Sequence, residues 1–346
     1  MAWPLLQRGF ETFQNTAFKH TFGDPESNSA APTLQAALEW AQQDDSKPFF
    51  LVVHTYEVHS YFLGKPRHHE RARAEQPAYE GPFREWAIRD LSQPAGPQVI
   101  EALLQANDDD LAYVRSLYRG AVAEVDAEVG RFVEGLQESG LDDRTVLALT
   151  SSNGEGFRPD LKRVHHGGRL HHDLLHVPLI VRWPGRLEPA ANSSLVATLD
   201  VAPTLVELAG LPEQPLFAGR PLVAPVGGLL ASLRGPRFHA PKLSKEPVVA
   251  QEAAFRILPS GEREAATEPQ YALYLDWVTF IDSGDQVELY DLKDDPEQEA
   301  DRSSEHVKGV EGLRKQVHRI AESSGLDAAA PDAEQLEQLR SLGYVQ

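Results

Sequence analysis

Residues 118–157, YRGAVAEVDAEVGRFVEGLQESGLDDRTVLALTSSNGEGF, decide the fold. Leu111, Val114, Leu117, Ala121, Val125, Val129, Phe132 and Leu136 step by three and four, which predicts a helix over 110–138 with one apolar face. Gly140 is its stop signal. The apolar run Thr145–Leu149 then reads as a buried strand. TSSNGEGF, 150–157, follows it, and small polar residues at the C-terminal end of a strand are where open α/β sheets place their chemistry.

The same alternation extends outward. PTLQAALEWAQQ, 32–43, has the helical period, with Leu34, Ala37, Leu38 and Ala41 on one face. Phe49–Val53 reads as a strand buried on both faces, and 61–109 as an irregular surface excursion. VPLIVRW, 177–183, is a further strand closed by Pro184-Gly185. Asp200 is a plausible N-cap for a helix through Leu208 that ends at Gly210. Strand and helix alternate from about 32 to 212, which predicts an α/β core with a mostly parallel sheet flanked by helices. A Pro- and Gly-rich stretch, 223–246, reads as a linker. PVVAQEA, YALYLDWVTFID and VELYDL then read as short strands with turn signals, followed by helices near 304–323 and 332–341. The expected organisation is a core over 1–222, a linker over 223–246 and a small C-terminal α+β subdomain over 247–346.

Composition bounds the function. Lys and Arg total 33 against 52 Asp and Glu, a formal charge of −19 over 346 residues. That balance argues against a nucleic-acid partner, although a local basic cluster can still draw a small anion into one cleft. With no cysteine in the sequence, disulfides, thiolate catalysis and cysteine-ligated zinc are excluded. No stretch reaches the length of a transmembrane segment. MAWPLLQRGFETF carries no basic segment followed by an apolar core, so no signal peptide is visible, and the compartment stays open.

Three constellations could carry chemistry. HTYEVHSY, 54–61, ends the Phe49–Val53 run, and a histidine there can hold an anionic oxygen or move a proton; a solvated loop histidine is the plainer alternative. Ser152 and Asn153 offer neutral oxygens suited to a hard cation, or simply form an Asn-Gly turn. KRVHHGGRLHHDLLH, 162–176, is the densest, with five of the chain's 13 histidines beside Lys162, Arg163 and Arg169. It reads as an anion-binding rim, a solvated turn, or, with His172 and His176 four apart, a zinc site. Neither a glycine-rich phosphate loop nor a Gly-x-Ser-x-Gly elbow is present.

Taken together, these segments resemble the sulfatase family of the alkaline-phosphatase superfamily. RGFETF at 8–13, KPFFLVVHTYEVHSY at 47–61, the 118–157 stretch, HHGGRLHHDLLHVPLIVRWPG at 165–185, LVATLDVAPTLVELAGLP at 195–212 and ELYDLKDDPEQEADR at 288–302 follow the family's order and wording. LEQLRSLGYV at 336–345 resembles the ending of many bacterial members.

The resemblance implies an alkaline-phosphatase-like fold and hydrolysis of a sulfate ester by a nucleophile derived from Cys or Ser, with a divalent cation, usually calcium, polarising the sulfuryl oxygens. It places His59 and His166 as catalytic histidines, with His165, Lys162 and Arg169 beside the substrate. Asn153 and Ser152 fall at metal-ligand positions. The substrate it implies is a sulfated small molecule or glycan.

Three departures from the pattern stand out. Ser152 replaces an Asp; Glu57-Val58 replace Asp-Pro, a change expected to be minor; and the paired Asp ligands and Cys/Ser-x-Pro-x-Arg motif expected before RGFETF are absent, with no cysteine available to become formylglycine. The expectation is a catalytically impaired family member whose missing N-terminal part comes from an upstream segment or a partner chain. A non-catalytic anion-binding or structural protein and a phosphoryl or phosphonyl hydrolase are the rivals.

Overall fold

The computed structural model describes residues 9–14, 29–43, 46–88, 95–226, 236–243, 246–252, 255–257, 263–265 and 269–323. Its contacts group into two compact units, Met1–Asp142 and Asp143–Gln346.

The first unit is helical where it is described. Helix α1 spans Ala30–Ala41, α2 Pro66–Glu75, α3 Ala95–Leu104 and α4 Asp108–Glu138. The α4 periodicity is realised: Leu111, Val114, Leu117, Ala121 and Leu136 are buried. A capping box starts it, with Asn107 Oδ1 accepting from the Asp110 backbone N–H at 3.0 Å and Asp110 Oδ2 from that of Asn107 at 3.1 Å. Gly140, at φ +67°, follows its C-terminal end. Ala41, Leu136 and Leu141 form a small core with Leu38, Trp40, Phe49 and Phe132 packed against it.

Two expectations for this unit change. The segment 61–109 is not irregular: it contains α2, α3 and short 3-10 turns at Tyr61–Leu63 and Pro82–Glu85. Pro66 pre-sets the first turn of α2, and the face that α2 buries carries His68, His69 and Ala72, which a hydrophobicity pattern does not register. Gly120 of α4 allows the close approach, since a Cβ there would stand 3.1 Å from His68 Cα. Phe49–Val53 joins no ladder among the described residues. Phe50 and Val52 are 67 % and 59 % exposed, so the run is not buried on both faces.

In the second unit, β1 (Leu147–Thr150) pairs antiparallel with β4 (Leu179–Arg182), in the register Leu147↔Arg182 to Thr150↔Leu179. Between them in sequence lie a hairpin, β2 (Gly156–Arg158) with β3 (Arg163–His165), and a single helical turn, α5 (His172–Leu175). Helix α6 (Val201–Leu208) follows a 3-10 turn at Thr198–Asp200. Asp200 holds the N-cap position, but its carboxylate accepts from the backbone N–H groups of Ala197 and Arg220, both at 2.9 Å. The stretch expected as a linker is partly pinned into this unit. Its β5 (Ala224–Pro225) pairs with β6 (Phe238–His239), and Val223 and Phe238 share a core with Leu208, Val181 and Trp183.

Strands β7 (Val248–Glu252), β8 (Phe255–Ile257), β9 (Arg263–Ala265), β10 (Gln270–Leu275), β11 (Val278–Asp282) and β12 (Val287–Asp291) complete the strand set. Four of these form an antiparallel sheet, in the order β12-β11-β10-β7. Side chains alternate across it as the pleat requires. Tyr271, Leu273 and Phe280 pack with α7 (Val307–Ser323) through Val310, Val317 and Ala321. Ala272, Tyr274 and Ile281 pack on the opposite face with Leu170. The sheet-plus-helix tail expected from sequence is therefore present, while the helix expected at 332–341 lies outside the described residues. The named strand pairings described are all antiparallel, with a single parallel bridge, Leu187↔Phe238. The parallel ladder expected of the core is thus not among them. No described helix is long and apolar enough to cross a membrane.

Candidate functional site

The β2–β3 hairpin builds the centre of the candidate site. Its register pairs Gly156 with His165 and Arg158 with Arg163, so Glu155 and His166 flank the hairpin's open end. His165 takes the left-handed region, φ +59°, which is uncommon outside glycine. Successive side chains of an extended strand point to opposite faces, yet here the two imidazole centroids are only 4.0 Å apart. Both rings turn Nδ1 toward one carboxylate: His165 Nδ1 is 3.3 Å from Glu155 Oε1, and His166 Nδ1 is 3.2 Å from Glu155 Oε2. The Glu155 and His165 side chains are almost fully buried, while His166 keeps partial exposure. Burial by itself would raise the Glu155 pKa. The charge and hydrogen bond of His165, and then those of His166, outweigh it and hold the carboxyl well below the usual carboxylate range.

The C-terminal sheet fixes this loop in place. Arg163 is buried, donating to the Gln298 carbonyl at 2.7 Å and to Tyr290 Oη at 2.8 Å. Tyr274 Oη donates to the Leu170 carbonyl at 3.2 Å, and the His172 backbone N–H donates to Gln298 Oε1 at 2.6 Å. His171 Nε2 lies 2.9 Å from Glu288 Oε2 on β12. Burial lowers the His171 pKa, only partly countered by Glu288. These attachments tie 163–172 to the sheet and to Gln298 beyond β12.

The residues expected at the site are distributed unevenly. His165 and His166 share Glu155, so neither is singled out over the other. Arg169 is half-buried and committed, bonding Asp173 Oδ1 and donating to the His165 carbonyl at 3.2 Å. Lys162 stands at the opposite end of β3, in the tip of the hairpin at φ +56°, about 10 Å of extended chain from His165. His172 and His176 stack at 4.6 Å and 12°, and neither belongs to a candidate metal-binding group among the described residues. His59 belongs to the first unit, exposed, with ring contacts to Tyr56 at 5.9 Å and Phe62 at 5.5 Å.

Ser152 and Asn153 are adjacent to β1, as expected. Ser152 Oγ donates to Asn153 Oδ1 at 2.9 Å, and Asn153 Nδ2 donates to the Gly154 carbonyl at 2.7 Å. Gly154 N–H donates to the Leu174 carbonyl at 2.7 Å, docking this loop on α5.

A model of the Sulfatase family matches residues 5–211. The chain belongs to the sulfatase family. Arylsulfatase K of mouse is 23 % identical over 299 residues, a match covering 82 % of this chain and 52 % of the mouse protein. The chain therefore spans about half the length of that curated relative. Among solved structures, a putative sulfatase from Bacteroides thetaiotaomicron superposes with TM-score 0.66 at 18 % identity, covering 94 % of this chain and 72 % of that one. The phosphonate monoester hydrolase of Agrobacterium radiobacter superposes with TM-score 0.57 at 19 % identity, covering 87 % and 62 %. These likenesses show the alkaline-phosphatase-like fold, and the family is generally metal-dependent.

Calcium does not fit the two positions that the resemblance assigns to it. Calcium takes about six to eight oxygens and draws its affinity from carboxylate charge. Ser152 and Asn153 bring no charge, and one lone pair of the Asn153 carbonyl oxygen accepts the Ser152 hydroxyl. No step is derived through a cation there. In this sulfatase-family chain the residue that sequence reasoning missed is Glu155, whose carboxylate touches both members of the histidine pair. Its signal was present: Pro159-Asp160 marks a turn between two short extended runs, and folding that hairpin brings 155 to 166.

Proposed function

We propose that this chain carries the oxyanion-holding part of a sulfuric ester hydrolase site, and that by itself it binds a sulfate ester without cleaving it. The observation that carries the reading is the Glu155 clamp. A buried carboxylate turned to Nδ1 of two adjacent imidazoles holds both rings on one side of the loop, where they can face an anionic oxygen. His166, the more exposed of the two, is the contact residue; His165 and Arg169 hold the loop that presents it. The expectation of no turnover rests on the Ser152–Asn153 pair, which is neutral and self-bonded.

A phosphonate monoester is the second reading, favoured by the fold match to the phosphonate monoester hydrolase. The test is calorimetric titration with 4-nitrophenyl sulfate and with a phenyl phosphonate monoester, beside an absorbance assay for released nitrophenol. Saturable sulfate-ester binding, weakened about tenfold or more by His166→Ala, with no nitrophenol released, is the expected result. Steady release of nitrophenol, or binding indifferent to His166→Ala, overturns the reading; preference for the phosphonate ester moves it to the second one.

A further inference from the structure

The described residues contain two groups in which a carboxylate and histidine could share an ion: Glu57, His68 and Glu124 in the first unit, and Glu155, His165 and His166 in the second. Their chemistry separates them. The first already contains its cation, because Lys65 Nζ lies 2.7 Å from both oxygens of Glu57. An ammonium at that place repels a second positive charge, so the group reads as a closed ion-pair network.

The second group contains no lysine or arginine on its carboxylate. Arg163 is spent on Gln298 and Tyr290, and the nearby Arg169 on Asp173 and the His165 carbonyl. Glu155 Oε1 is buried, with His165 Nδ1 3.3 Å away. One carboxylate oxygen and one ring nitrogen from each histidine lie within 4.8 Å of one another. His165 Nδ1 is 3.3 Å from Oε1 and His166 Nδ1 is 3.2 Å from Oε2, so the carboxylate spans the gap between the two rings. The left-handed backbone of His165, uncommon outside glycine, accompanies the turning of both rings to one side. Such a conformation persists where the surroundings over-determine it, as they do at ligand clamps.

We infer that Glu155, His165 and His166 form a binding site for one divalent first-row transition metal of the zinc type. The two-nitrogen, one-carboxylate donor set suits that class and not calcium, which takes oxygen throughout. Three protein ligands leave at least one position to solvent, as in open zinc sites. A metal on the Nδ1 side would keep the proton on the opposite nitrogen of each ring, so both imidazoles become fixed donors. This deepens the proposal that they face an oxyanion, and it is read by a different measurement.

The chain is stripped with chelator and titrated with cobalt(II), recording visible absorption, and then with zinc by calorimetry. The expected result is one metal per chain with d–d bands between 500 and 650 nm (roughly the range for imidazole–carboxylate sites). Glu155→Gln and His166→Ala each lower affinity about 100-fold or abolish the bands. Glu124→Gln and His176→Ala leave binding unchanged, the first testing the other group and the second the stacked histidines. Circular dichroism confirms folding; if Glu155→Gln fails to fold, His166→Ala decides. No stoichiometric uptake by the unsubstituted chain, or uptake that survives His166→Ala, overturns the site. Loss of metal binding with ester binding intact would overturn the link between the two proposals and leave the oxyanion reading standing.

Discussion

Replacing Glu57 tests a buried ion-pair network of the first unit. Its carboxylate is fully buried, accepts from Lys65 Nζ at 2.7 Å on both oxygens, lies 3.1 Å from His68 Nε2, and accepts from the Ala30 backbone N–H at 3.0 Å. The last contact caps α1 from 27 residues away, where Ser29 supplies no side-chain cap. At 2.7 Å and an effective dielectric constant near 20, attraction between the two charges is about 6 kcal/mol. Desolvating both consumes several kcal/mol per ion, so the intact pair is close to neutral in net stability. Breaking it is not neutral. Glu57→Gln keeps the shape and the cap but leaves the Lys65 ammonium buried without an anion, which costs about 3–5 kcal/mol. Lys65→Met costs a similar amount. The double variant removes both charges and is expected to lose less than either single change, giving a coupling of about 3 kcal/mol or more.

Urea unfolding read through tryptophan fluorescence, where Trp40 and Trp86 report this unit, measures the cycle. Burial alone would raise the Glu57 pKa, but hydrogen bonds from His68 and Lys65 outweigh it and lower the value. A lowered folded pKa means the contribution is present above the unfolded value of about 4.3 and is lost as pH falls through the folded one. The difference between the unsubstituted chain and Glu57→Gln should therefore shrink only below about pH 4.3. A Glu57→Gln cost under about 1 kcal/mol, or a double variant costing the sum of the singles, refutes the reasoning.

Two further outcomes follow from contacts already described. Gly154→Ala would place a Cβ 2.0 Å from the Asp173 carbonyl oxygen; relieving it breaks the Gly154–Leu174 hydrogen bond, for a loss of about 2–4 kcal/mol in denaturant unfolding, whereas Gly130→Ala, mid-α4 with no atom within 4 Å, should gain about 0.5–1 kcal/mol. Asp282 accepts two bonds from Arg314 at 2.8 Å and lies 3.0 Å from His318 Nε2. Burial raises its pKa but these partners lower it overall, so the clasp of α7 on its sheet is intact above about pH 3.9 and weakens below it, and Asp282→Asn should cost about 2 kcal/mol at pH 7 and flatten that acid limb.

What was readable in the sequence, and what was not, divides along a physical line. Periodicity reports on burial of one chain segment: it found α1 and α4, because each turns a repeating face toward its own core. It reported burial for Phe49–Val53 from apolar content alone, and a run of apolar residues carries no information about which strands stand beside it. It passed over α2, whose buried face is two histidines and an alanine held by polar partners. The Glu57 substitution looked minor because its partners lie 8, 11 and 27 residues away. Glu155 was hidden for the same reason, 10 and 11 residues from the imidazoles it touches, across a hairpin whose register no local preference states. Charge clusters are set by how elements meet, while hydrophobic patterns are set by how each element faces its core. Family wording located His59, His165, His166, Ser152 and Asn153 along the chain, yet it could not say which groups would neutralise them. Electrostatically, the site belongs to Glu155 as much as to the histidines: replacing that carboxylate with an amide removes the group that fixes both rings, whether the partner in the site is a proton, an oxyanion or a metal.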